Sequence, residues 1–165
     1  MYRQAYLTII HSPYKYTMKT KYFIIAALLL TGIGFGSCTK STTNPTIANL
    51  TFVATLSGAS ETPANASMAT GTATFTYNPS TYILSGTVTF SGLTATQAHI
   101  HMGAVGVAGS VVFPLGSASP TSPISFTSVA LTAQQQSDLE AGLYYVNVHS
   151  ATYPAGEIRG QLLQQ

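Results

Sequence analysis

The stretch LYYVNVHSATYPAGEIRGQL, residues Leu143 to Leu162, decides the fold because it alternates two chemically different faces along two strands joined by a short turn. In a β-strand successive side chains point to opposite sides. Tyr144, Val146 and Val148 therefore share one side of the first strand, and Tyr145, Asn147 and His149 the other. In the second strand Ile158, Gly160 and Leu162 oppose Glu157, Arg159 and Gln161. One face is apolar enough for a core. The other gathers charge and amide groups in a chain with only 6% charged residues, so it calls for an explanation beyond ordinary solvation. Upstream, AHIHMG sets His99 and His101 two apart, which places both imidazoles on a common strand face.

Working outward, the same alternation recurs. Residues 52–57, 70–77 and 81–90 carry Phe52, Ala54, Leu56, then Ala73, Phe75, Tyr77, then Tyr82, Leu84, Val88 and Phe90, interleaved largely with Thr and Ser. Threonine suits the wet side of a sheet: its branched side chain packs on a pleated surface while the hydroxyl stays hydrated. Asn78, Pro79 and Ser80 read as a hairpin turn, with Pro79 pre-setting the turn dihedral. Further strands are expected at 96–102, 109–113, 123–130, 143–149 and 157–163, with Gly103 to Gly109 as a glycine-punctuated loop. One segment argues for helix. Thr132 as N-cap with Gln135 three residues on forms a capping-box pattern, Leu139 and Ala141 supply a thin apolar side, Asp138 and Glu140 are expected to face solvent, and Gly142 can close the end. Seven or eight short strands without βα alternation specify an all-β, antiparallel sandwich or barrel with one short helix.

The N-terminal part is a different kind of sequence. From Met18, the expected true start, Lys19 and Lys21 precede an apolar run from Tyr22 to Phe35, followed by Gly36, Ser37 and the only cysteine, Cys38. The run is shorter than the ~20 residues a membrane-spanning helix needs. It reads as a secretory leader over residues 1–37. Cys38 after two small residues resembles the lipobox of bacterial lipoproteins, in which the cysteine becomes lipidated and is the first mature residue. Phe35 departs from the usual Leu three positions before that cysteine. Residues 38–49, rich in Ser, Thr, Asn and Pro, are then a flexible tether, and residues 50–165 the folded domain.

Removing the leader reverses the charge. Four of the six basic residues lie before Cys38, which leaves Lys40 and Arg159 against Glu61, Asp138, Glu140 and Glu157, a net charge of −2 instead of +2. Two isolated cations cannot supply the basic stripe that a nucleic-acid partner requires. Catalytic inventories are equally thin. The sole cysteine sits in the lipobox, no serine occupies a Gly-x-Ser-x-Gly elbow, and the four acids obey no common spacing. Gly103 to Gly109 lacks the strand, lysine and helix context of a phosphate loop.

Two readings of the polar face remain. His99, His101, Asn147, His149, Glu157, Arg159 and Gln161 can form a buried hydrogen-bond network that fixes strand register. Alternatively His99 and His101, roughly 6.5 to 7 Å apart along the backbone, can chelate one zinc or copper ion with His149 as third ligand and Glu157 or water as fourth. The network reading needs no cofactor and is the principal expectation.

LSGASETP, GTATFTYNP, GLT, AHIH, VVFPL, YVNVH and GEIRGQ, in that order from Leu56 to Gln161, resemble the CHRD domain, a family named from chordin and abundant in bacterial exported proteins. The resemblance covers nearly all of Phe52 to Leu162, with Ser150 standing where Thr is more usual. It implies an immunoglobulin-like β-sandwich or barrel with limited similarity to copper/zinc superoxide dismutases, whose His-x-His strand pair binds copper, and it implies no settled activity. Dismutase chemistry needs more histidines and a bridging acid, and the domain has only three histidines. The expectation is a non-enzymatic binding, adhesion or structural module on the bacterial cell envelope, held to the membrane through Cys38, with a protein or glycan partner. Its alternative is a metal-binding domain using His99, His101 and His149.

Overall fold

The computed structural model describes residues 47–165. The leader, Cys38 and most of the tether lie outside the described residues. The strands are β1 (Leu50–Ser57), β2 (Thr70–Asn78), β3 (Ile83–Ser91), β4 (Ala95–Met102), β5 (Ser110–Pro114), β6 (Ile124–Thr127), β7 (Tyr144–Ser150), β8 (Ile158–Gln161) and β9 (Leu163–Gln164). Among the described residues one helix, α1 (Ala133–Glu140), and a 3-10 turn at Gly58–Ser60 complete the order.

All pairings are antiparallel, and hydrogen bonding runs in the order β5-β4-β7-β8-β1-β2-β3-β6, with β9 beside β1. The sheet is curled into a half-barrel. Its two four-stranded blocks join where β8 meets β1 at Ser57 opposite Arg159 and where its continuation β9 meets β1 at Phe52 opposite Gln164 and Val53 opposite Leu163. The apolar sides of both blocks meet in one core, including Phe52, Leu56, Phe75, Leu84, Ile100, Val146, Val148, Ile158 and Leu162. Burying such side chains stabilises by roughly 1.5–3 kcal/mol each.

The core parity expected from alternation holds at every strand that frames the polar face. Tyr144, Val146, Val148, Ile158 and Leu162 are all at most 1% exposed. Gly160 stands where β8 crosses β1, and a Cβ there would meet the Thr55 carbonyl, so glycine is required by close backbone approach. The outer side of β2 and β3 carries threonine ladders, such as Thr72 opposite Thr89 with their hydroxyls 2.8 Å apart. Asn78 closes the β2–β3 turn by accepting from the Ser80 amide at 2.8 Å. The Thr132–Gln135 capping box opens α1, and Gly142 follows its C-cap Ala141 with φ 68°.

Three expectations need correction. The strand expected over 123–130 ends at Thr127, because the Ser128 hydroxyl, not a strand carbonyl, takes the Leu84 amide at 2.9 Å. The strand expected over 157–163 divides at Leu162: that residue still bonds to the Tyr144 carbonyl, while Leu163 and Gln164 change partner to β1. Asp138 does not face solvent. It is buried, and its carboxylate accepts from Gln134 Nε2 at 2.9 Å one helical turn away.

Candidate metal centre

The polar face of the β4-β7-β8 block is buried along β7 and opens to the surface at Gln97 and His99 on β4. Every residue of β7 is buried, on both sides of the strand. Register brings the candidate residues into rows: His99 opposite Asn147 opposite Arg159, and His101 opposite Tyr145 opposite Gln161. His149 pairs with Gln97 at the adjacent row. Three imidazoles from two neighbouring strands thereby converge, and His99, His101 and His149 each offer a ring nitrogen within 4.8 Å of the others.

The backbone decides which nitrogen each ring presents. His101 Nδ1 lies 2.9 Å from the Gly109 carbonyl, and His149 Nδ1 lies 3.0 Å from the Pro154 carbonyl. A carbonyl oxygen only accepts, so both Nδ1 atoms carry the proton and both Nε2 atoms carry a lone pair. His149 Nε2 accepts from His99 Nδ1 at 3.0 Å. His101 Nε2 is buried and has no partner among the described residues. Burial pushes the His99 and His149 pKa values below the ordinary histidine range. For His99 the neighbouring His149 and His101 push the same way; for His149 the Pro154 bond opposes burial and His101 reinforces it. Both rings are thus held neutral, the form that binds metals.

An imidazole whose far nitrogen donates to a backbone carbonyl is the usual outer-shell arrangement of a histidine metal ligand. At metal–nitrogen distances of about 2.0–2.1 Å, ligand nitrogens sit roughly 3.5 Å apart. His99 to His149 is already closer than that, and the remaining adjustment falls to His99, the half-buried member, which lines a surface cavity of about 160 Å³ with Gln97, Pro114 and Leu115.

Arg159 and Gln161 brace the loop that carries Gly109. Arg159 donates to the Val107 carbonyl at 3.0 Å and the Ala104 carbonyl at 2.9 Å, with weaker contacts to Thr62 Oγ1 and Gln161 Oε1. Gln161 Nε2 donates to the Gly103 carbonyl at 2.9 Å and the Gly142 carbonyl at 2.7 Å. The guanidinium also lies 3.4 Å from the centroid of the Tyr145 ring, and Tyr145 stacks on His101 at 5.0 Å and 11°. Because β7 stands between β4 and β8, the three groups form one stack with Tyr145 in the middle. The Gly109 amide donates to the Tyr145 hydroxyl, so a single glycine holds two members of that stack.

Two of the expected site residues do not join the histidine cluster. Glu157 does not face the histidines: Gly156 at φ 137° turns the chain, and the carboxylate accepts from the Ser67 hydroxyl at 2.6 Å. Asn147 lies in the histidine row but its Oδ1 is buried without a partner. Three residues that matter were not singled out beforehand. Tyr145 was placed on the polar face by parity, a signal that an aromatic belongs to the site. Gly109 and Pro154 act through backbone carbonyls, which side-chain chemistry does not announce.

The CHRD domain profile matches residues 52–162, and the chain belongs to the CHRD domain family. At family level that makes it an extracellular, binding-type module. No curated protein and no solved structure matches the chain.

Proposed function

We propose that this chain is a cell-envelope module, tethered through a lipidated Cys38, that binds one transition-metal ion at His99, His101 and His149. The observation that carries the reading is His101 Nε2, a buried lone pair with no donor to meet it, beside a second lone pair on His149 whose only donor is His99. Native proteins leave few buried acceptors unpaired, and the lone pairs of His101 Nε2 and His149 Nε2 in one cluster suit a Lewis acid, which His99 joins by moving its proton from Nδ1 to Nε2. The polar-network reading is absorbed by this one: Arg159 and Gln161 hold the loop whose Gly109 carbonyl orients His101. Tag-free protein should bind about one equivalent of zinc or copper, with a rise in melting temperature through native-state linkage, and His101→Ala should abolish both. Absence of any bound metal after incubation with either ion would overturn the proposal and leave a partner-binding module stabilised by a hydrogen-bonded core.

A further inference from the structure

Resting on that metal-binding reading, we propose that the centre is built for cuprous copper in preference to a divalent ion. The donor set is the first reason. It consists of three imidazoles with no carboxylate grouped among them: Glu157 is held by the Ser67 hydroxyl, and Glu61, one oxygen on the Thr62 amide, lies on the Asn147 and Arg159 side. A divalent ion bound there keeps its full charge of two, whereas a cuprous ion brings one.

The neighbouring charge is the second reason. The Arg159 guanidinium stands one aromatic ring away from His101, on the far side of Tyr145; its hydrogen bonds go to uncharged oxygens, and Glu61, the acid that feels its charge, makes no hydrogen bond to it. Its repulsion of a bound cation scales with the charge of that cation, so it acts twice as strongly against zinc or cupric copper as against cuprous copper.

Coordination number is the third. Zinc held by three histidines completes its tetrahedron with a water, which this buried cluster would have to admit, since no fourth histidine, cysteine or carboxylate is grouped with the three among the described residues. A cuprous ion, closed-shell and singly charged, is satisfied by three nitrogens. The order of affinities that favours copper over zinc at nitrogen sites concerns divalent ions only, so charge, and not that order, selects the oxidation state here.

The test is an anaerobic competition on the full chain in detergent. Cuprous ion is delivered with ascorbate and contested by a coloured cuprous chelator; zinc is contested in parallel by a coloured zinc chelator. The expected result is one equivalent of each metal at most, with the cuprous complex tighter by more than about tenfold. Zinc binding as tightly as cuprous ion, or more tightly, would overturn the proposal while leaving a metal centre standing. Binding of neither would remove the metal reading itself. His99→Gln, altered at the half-buried ligand where folding is least at risk, should weaken cuprous binding by about tenfold or more; unchanged affinity would rule out the three-nitrogen set.

Discussion

His101 donates through Nδ1 to the carbonyl oxygen of Gly109 at 2.9 Å, which ties a strand imidazole to a loop that only glycine can form. A Cβ at Gly109 would run into the Met102 carbonyl, a backbone atom that cannot step aside without breaking the β4–β5 pairing. Gly109→Ala should therefore destabilise by at least about 1–3 kcal/mol, the range for forced overpacking. Gly106→Ala serves as the comparison. Nothing lies within 4 Å of that site, and only its φ of 76° is unfavourable, so about 1–2 kcal/mol is expected. Urea denaturation of both variants checks the order, and equal losses would show that the Gly109 contact carries nothing of its own.

Arg159 is the next element of the same machinery. Arg159→Ala leaves the Ala104 and Val107 carbonyls without their donors and exposes one face of Tyr145, so a loss of about 1–3 kcal/mol is expected. Arg159→Lys should recover only part of it, because an ammonium cannot reproduce the planar fork that reaches two carbonyls while lying over a ring. A loss within about 0.5 kcal/mol for the alanine variant, measured by thermal or urea unfolding, would show that these contacts contribute nothing net although Arg159 is buried.

How far these contacts were legible beforehand depends on which atoms make them. Side-chain parity was readable: the alternation of Tyr144 to His149 and Ile158 to Leu162 assigned core and polar faces correctly, and the Thr132–Gln135 spacing announced the capping box. Backbone acceptors were not. The sequence places Arg159 in a polar network that fixes strand register, yet its main partners are carbonyls of the glycine-punctuated loop, and any residue carries a carbonyl. Glu157 shares parity with Arg159 but not its surroundings, because the left-handed region at Gly156 resets the chain just before it. Parity is a property of continuous strand, and it fails where a strand begins. The approach of Glu61 to the polar face is equally invisible in sequence, since a loop preceding β2 meets a strand nearly a hundred residues later.

The proposed anchor rests on Cys38, which follows a short apolar run, Gly36 and Ser37. One acyl chain gives only marginal, reversible binding, whereas the several chains that lipoprotein processing places on one cysteine hold a protein stably. Radiolabelled fatty acid should enter the wild-type protein in a bacterial host and fail to enter Cys38→Ser. The variant should also leave the membrane fraction or accumulate unprocessed. Equal labelling of the two proteins would remove the anchor from the account.

Glu61 supplies a pH signature of the polar face that needs no metal. Burial raises its carboxyl above the usual 4.5, against the opposing pull of the Thr62 amide, Arg159 and Asn147, and one of its oxygens is buried without a partner. A group whose folded pKa lies above its unfolded value binds protons more tightly when folded. Its stabilising contribution is complete below the unfolded pKa and is lost as pH rises through the folded one. Wild type should accordingly lose stability relative to Glu61→Gln as pH climbs from about 4 toward neutrality. The glutamine remains uncharged throughout and keeps a similar shape, so the comparison isolates ionisation from packing. Urea midpoints for both proteins at pH 4, 5, 6 and 7 provide the check. The gap should widen in favour of the glutamine variant with rising pH and then level off once the folded-state carboxyl has ionised. A gap that stays constant, or that shifts toward wild type as Glu61 ionises, would mean that the Arg159 and Asn147 attractions outweigh desolvation at this site.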